Sequence, residues 1–180
     1  MRKKLFLGAL AVASAVVLGA CGGNDSMSGM DGDHNADDVT FAQQMIPHHS
    51  QALDMAKLVP SRSTDPKVVD LAGRIEKAQD PEIKQMQGWL TTWGASMPGM
   101  SHESMPGMMP AEDMTTLEGS KGAEFDKRWL DMMIKHHQGA VDMAETELSK
   151  GSNPEAKALA RKIIDAQQAE ITEMQGLLRS

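Results

Sequence analysis

The chain has 180 residues, a formal net charge of −7, and a composition that is 41% hydrophobic yet only 3% aromatic, with 16 Met and no Tyr. Leu, Ile, Val and Phe account for 32 of these residues, below the roughly 20% at which a charged chain begins to resemble a disordered one, so Met and Ala must supply any core. The length argues for one domain rather than a multidomain enzyme, and the acidity excludes nucleic acid as a natural partner.

Residues 1–20 read as a secretory leader. Arg2, Lys3 and Lys4 precede an apolar run from Leu5 to Leu18 that is too short for a comfortable membrane span. The run closes on Leu18-Gly19-Ala20-Cys21, which resembles a bacterial lipobox and predicts lipidation at Cys21, with anchorage on the extracytoplasmic face of the cell membrane. Cys21 is the single Cys, so no disulfide framework can form and packing or a ligand must stabilise the fold. Without the leader the balance is 15 Lys+Arg against 25 Asp+Glu, or −10. Residues 21–36, rich in Gly, Asp, Ser and Met, read as a flexible tether.

The folded part is expected over 37–180, and it carries an internal repeat at an offset of 88 positions without a gap. Met45-Ile46-Pro47-His48-His49 falls on Met133-Ile134-Lys135-His136-His137, and Ala52, Asp54, Met55 and Ala56 fall on Ala140, Asp142, Met143 and Ala144. The match continues through Pro66 and Pro154, Ala78-Gln79 and Ala166-Gln167, Glu82-Ile83 and Glu170-Ile171, and Met86-Gln87-Gly88 and Met174-Gln175-Gly176. Each repeat reads as two helices, because Asp65-Pro66 and Asn153-Pro154 place an N-cap residue ahead of a first-turn Pro. The preceding helices are expected to stop near Pro60 and Gly151.

At 100° per residue, Phe41, Met45, His49, Ala52, Ala56 and Val59 share a stripe opposite Gln43, Ser50, Asp54 and Lys57. The second helix gives a stripe of Leu71, Ile75, Ala78, Gln79, Glu82, Ile83 and Met86. Pro47 and Pro81 are expected to interrupt the helices of the first repeat only. Two such hairpins, 37–94 and 122–180, bury their apolar faces best against each other, which predicts an all-α four-helix bundle built from a duplicated helical hairpin. The connection, 95–121, shows no helical periodicity. It is rich in Met, with Met97, Met100, His102, Met105, Met108 and Met109 expected to be exposed and to act as metal-capturing groups, the alternatives being a plain flexible linker or a hydrophobic docking loop for a partner protein.

The chemistry points to the His pairs. Met45 precedes His49 by four residues, Met55 follows His48 by seven, and Met132 precedes His136 by four, so each Met lies on the same side as a His. With Met133 and Met143 these residues form a mixed thioether and imidazole set. Thioethers are soft and imidazole is borderline, a combination that favours copper, Cu(I) above all and also Ag(I), over hard ions. Glu82 and Glu170 each put a carboxylate on an apolar stripe beside Gln79 or Gln167, where a partner is required. In a hairpin turning near residue 62 these four side chains come level with the His pair and are expected either to orient the imidazoles or to form ordinary helix-to-helix hydrogen bonds.

The motif His48-His49-Ser50-Gln51-Ala52-Leu53-Asp54-Met55-Ala56, repeated as His136-His137-Gln138-Gly139-Ala140-Val141-Asp142-Met143-Ala144, resembles the domain-of-unknown-function 305 family over about residues 38–179. The resemblance implies a ferritin-like four-helix bundle and, for some members, copper binding in the cell envelope. The leading expectation is therefore a non-enzymatic lipoprotein that sequesters Cu(I) or hands it to an envelope partner. One alternative is a metal-free structural or interaction module, with the His pairs as a polar layer of the core. A ferritin-like redox enzyme is disfavoured because no His is preceded at three positions by Glu.

Overall fold

A computed structural model describes residues 33–97 and 105–179. Its first helix, α1 (Ala36–Arg62), starts where Asn35 accepts from the amides of Asp37 and Asp38 while the Asp38 carboxylate accepts from the Asn35 amide, a reciprocal cap that satisfies otherwise orphaned donors. Helix α2 (Pro66–Thr92) is capped by Asp65, and the matching helix of the second repeat, α5 (Pro154–Leu177), by Asn153; each has its Pro in the first turn. Between them lie α3 (Ala111–Gly119) and α4 (Gly122–Lys150). The fold is all-α, and α1, α2, α4 and α5 make the four-helix bundle. Helix α1 runs against α2, α4 against α5, and the α1–α4 seam joins the hairpins.

Two sequence expectations need correction. Helices α1 and α2 continue through Pro47 and Pro81 without a break, and α1 ends at Arg62, near Pro60 as expected. A proline withdraws one N–H and frees the carbonyl four residues earlier, and at Pro47 and Pro81 those carbonyls belong to Gln43 and Lys77, neither of which is buried. Both carbonyls lie where solvent can reach them, and the buried stripe holds the helix on both sides. The connection 95–121 is also not devoid of helix. In α3, Met114 and Leu117 stand three residues apart and pack into the core, and Glu112 and Asp113 in the first turn favour the positive end of the helix dipole.

The core forms two apolar clusters. One gathers Phe41, Met45, Met86, Trp89 and Trp93 with Met143, Leu159 and Ile163. The other gathers Met55, Val59, Leu71 and Ile75 with Leu117, Phe125, Trp129, Met133 and Met174. The duplicated Met residues thus fill space that aromatic residues would otherwise occupy. In both α1 and α4 the His pair falls at the boundary between the two clusters.

A second buried polar group closes one end. The Asp38 carboxylate accepts from the Ser152 amide and hydroxyl and from the Asn153 amide, tying the start of α1 to the α4–α5 turn. Burial opposes ionisation there, but the bonds from Asn35, Ser152 and Asn153 outweigh it and hold the Asp38 carboxyl below its ordinary value. Glu147, 1% exposed, is pushed the other way, up to about 8, by burial and by the neighbouring Asp38.

Candidate metal centre

The duplication places equivalent residues of α1 and α4 face to face. The rings of His48 and His136 lie with centroids 3.7 Å apart and planes inclined by 35°, both at most 1% exposed. His137 is the next ring, 6.4 Å from His136. His49 and His137 are fully buried, each against the second helix of its own hairpin.

Three of the four imidazoles are held through the same nitrogen. His49 Nε2 lies 2.9 Å from Glu82 Oε2, His137 Nε2 lies 2.7 Å from Glu170 Oε2, and His48 Nε2 lies 3.1 Å from the Pro106 carbonyl. A carbonyl only accepts, so Nε2 of His48 carries the proton. The Glu82 carboxyl is held below its ordinary value, because the hydrogen bond from His49 and the Lys162 ammonium at 3.2 Å outweigh the opposing effect of burial. It is therefore an acceptor, and Nε2 of His49 donates.

The opposite nitrogens have nothing to bond. Nδ1 of His48, His49 and His137 and both ring nitrogens of His136 are buried without a hydrogen-bond partner, as are Oε1 of Gln79 and of Gln167. An unsatisfied buried polar atom costs about 1–3 kcal/mol, and a cluster of them calls for a partner from outside the chain, water or a bound ion. Burial pushes the His48 imidazole down to about 3 and lowers those of His49 and His136 as well, His136 further through its neighbours His48 and His137. All three are neutral near pH 7, the form in which imidazole donates a lone pair to a metal. A metal-binding histidine donates its non-ligating ring N–H to an oxygen acceptor, and here that N–H is Nε2, which leaves Nδ1 as the free donor. The donor set therefore fits a soft or borderline cation. Among the described residues, no three His, Cys, Asp or Glu side chains converge as a ready-made cage.

The thioethers fall into distinct environments. Met45 and Met143 lie in the cluster on one side of the imidazoles and Met55 and Met133 in the cluster on the other, all buried, while Met132 is half-buried. In the connection the expected exposure holds at Met97 (45%) but fails at Met105 and Met109 (8% and 9%), and Met108 is intermediate. The reason is docking: the Gln51 side chain bonds the Met109 backbone in both directions and pins the segment onto α1. Cys21, Met100 and His102 lie outside the described residues.

Sequence reasoning missed Pro106 and Lys162. The first acts through its carbonyl, which has no residue-type signature. The second breaks the repeat symmetry: the position matching Lys162 is Arg74, which pairs with Asp70 and Glu173 instead of a His-bound carboxylate.

The bundle is similar to the crystal structure of a DUF305 fragment from Deinococcus radiodurans, with a TM-score of 0.76 and 34% identity, covering 82% of this chain and 98% of that one. It is also similar to CopM in the Cu(I)-bound form, with a TM-score of 0.68 and 32% identity, covering 79% of this chain and 95% of that one. CopM has been solved in Ag-bound and Cu(II)-bound forms too. Uncharacterized protein L153 of Acanthamoeba polyphaga mimivirus is 41% identical over 54 residues, 30% of this chain, and the match spans 36% of that relative's own length. The family model described as domain of unknown function (DUF305) matches residues 38–178, and the chain belongs to that family.

Proposed function

We propose that this protein is a copper-binding lipoprotein of the cell envelope, anchored through Cys21, that takes up Cu(I) and also Ag(I) at the imidazole layer of His48, His49, His136 and His137. The metal is cargo, held for sequestration or transfer to an envelope partner; no reaction is catalysed. Met45, Met55, Met132, Met133 and Met143 supply soft donors next to the imidazoles, and Met97, Met100, His102, Met105, Met108 and Met109 form the approach. A neutral thioether keeps its lone pairs at every pH and cannot be lost to a disulfide, which suits an oxidising compartment.

The observation that carries this reading is the set of buried imidazole nitrogens left without partners while the Nε2 atoms of His48, His49 and His137 are held by oxygen acceptors. The similarity to CopM, solved with Cu(I) and Ag, supports the choice of metal. Among the described residues no helix is long and apolar enough to cross a membrane; the lipid anchor rests on the lipobox-like Leu18-Gly19-Ala20-Cys21. Titration of the purified protein with Cu(I) against a competing chelator tests the reading. Binding should be much tighter than that of a variant with all four His changed to Ala. Equal binding, together with a thermal stability that copper leaves unchanged, would favour the metal-free structural module.

A further inference from the structure

His48 and His136 occupy equivalent places in the two repeats, yet the structure treats them differently. His48 has a hydrogen-bond acceptor at Nε2, the Pro106 carbonyl at 3.1 Å, whereas His136 has none at either nitrogen. The acceptor arrives on the connecting segment, which lies across the α1–α4 seam. Its seat is a second break in the repeat symmetry. Position 51 in the first repeat matches position 139 in the second, and the two residues are Gln and Gly.

Gln51 clamps one end of the segment. Its Nε2 donates to the Met109 carbonyl at 2.9 Å and its Oε1 accepts from the Met109 amide at 2.7 Å. Gly139 admits the other end: a Cβ placed on it would stand 2.1 Å from the Pro106 carbonyl oxygen and 2.7 Å from the Gly107 Cα, which backbone atoms cannot tolerate. The fit is reciprocal. Gly107 has φ of +75°, and a Cβ there would stand 2.8 Å from the Lys135 carbonyl oxygen and 2.9 Å from that of His136. Only glycine meets both demands, the left-handed conformation and the close approach. The segment turns tightly, with the Met108 amide on the Met105 carbonyl at 3.2 Å, and buries Met105 and Met109.

We propose that residues 105–109 are a positioning strap for His48. The Pro106 carbonyl fixes the Nε2–H tautomer and so presents the Nδ1 lone pair, with Gln51 and Gly139 as the residues that seat the strap. The role parallels that of Glu82 for His49 and Glu170 for His137, but the orienting group is a backbone carbonyl carried by the connection between the hairpins. His136 receives no acceptor from the strap and no carboxylate of the kind that holds His49 and His137. The consequence for metal affinity rests on the copper reading above; the tautomer assignment does not.

The test compares wild type with Gly139→Ala and Gln51→Ala. Alanine is a better helix former than glycine, so Gly139→Ala leaves α4 intact while its methyl displaces Pro106. Long-range proton–nitrogen NMR of the metal-free protein reports each imidazole tautomer. His48 should be Nε2–H in wild type and a mixture of tautomers in both variants, while His49 and His137 remain Nε2–H as internal evidence that the bundle is folded. In competition titrations with Cu(I) the variants should bind about tenfold or more weakly, the range seen when an orienting group is removed from a metal-bound histidine. An unchanged His48 tautomer in both variants, or an Nδ1–H tautomer in wild type, overturns the proposal. If wild type binds Cu(I) no better than the four-His variant, the copper reading fails, and the tautomers alone still decide whether the strap positions His48.

Discussion

His48 of α1 and His136 of α4 face each other with ring centroids 3.7 Å apart, although 88 residues separate them in the chain. Two neutral imidazoles in this arrangement gain little from each other and leave buried lone pairs without a protein partner. Packing alone would be served as well by Leu or Phe. The contact is what the proposed copper site requires, since a cation there would satisfy what the protein does not.

The carboxylates behind the imidazoles lead to the first prediction. Glu82→Gln and Glu170→Gln keep the shape and a hydrogen-bond acceptor but remove the carboxylate that orients each imidazole. Each should weaken Cu(I) binding by about 10–100-fold, read by chelator competition. The two are not equivalent, because only Glu82 also holds Lys162, at 3.2 Å. Glu82→Gln should therefore also free Lys162, detectable as faster chemical labelling of its amine.

The thioethers can be separated into core filler and donor by shape-conserving change. Met45, Met55, Met133 and Met143 are all buried in the two clusters. A Met-to-Leu change at any of them should cost less than about 1.5 kcal/mol of stability, measured by urea unfolding. The combined four-Leu protein should remain folded yet bind Cu(I) more weakly than wild type. Unimpaired binding would assign these residues to packing alone.

Stability should depend on pH through buried groups acting in opposite directions, His48, His49 and His136 with Asp38 on one side and Glu147 on the other. His48 titrates at about 3 in the fold against an ordinary 6.5, so its contribution is complete above pH 6.5 and is lost as pH falls toward 3. Within that window the unfolded chain binds more protons, at about 1.4 kcal/mol per pH unit for one group. His48→Gln should make this acid limb shallower, with the buried His49 and His136 supplying the rest of it. Glu147 is raised from 4.5 to about 8, so its contribution is complete below 4.5 and is lost as pH rises through about 8. Glu147→Gln copies the protonated form and should remove that alkaline loss. Thermal melts from pH 3 to 9, the interval that spans both windows, read both effects.

Much of this was legible from the residues because a repeat doubles every signal. The hairpins, their Pro-led second helices and the stripe carrying His49 followed from periodicity, and the hairpin turn alone brought Glu82 and Glu170 near the His pairs. What was not legible has particular causes. The meeting of His48 with His136 depends on how one hairpin faces the other, and helix periodicity carries no information about that. Pro47 and Pro81 looked disruptive because propensity ignores the packing that carries a helix past a missing bond. The Met-rich connection looked exposed because its seat is made by one glycine and one glutamine in distant helices. Pro106 acts through an atom that every residue possesses.

The central claim is that the unpartnered imidazole nitrogens are metal donors. The most direct measurement is long-range proton–nitrogen NMR of the histidine side chains before and after loading with Cu(I). Nδ1 of His48, His49 or His137, and a nitrogen of His136, should move to metal-bound shifts, while the Nε2 atoms facing Pro106, Glu82 and Glu170 keep their protons. Loading that leaves all four imidazoles unshifted would contradict the account.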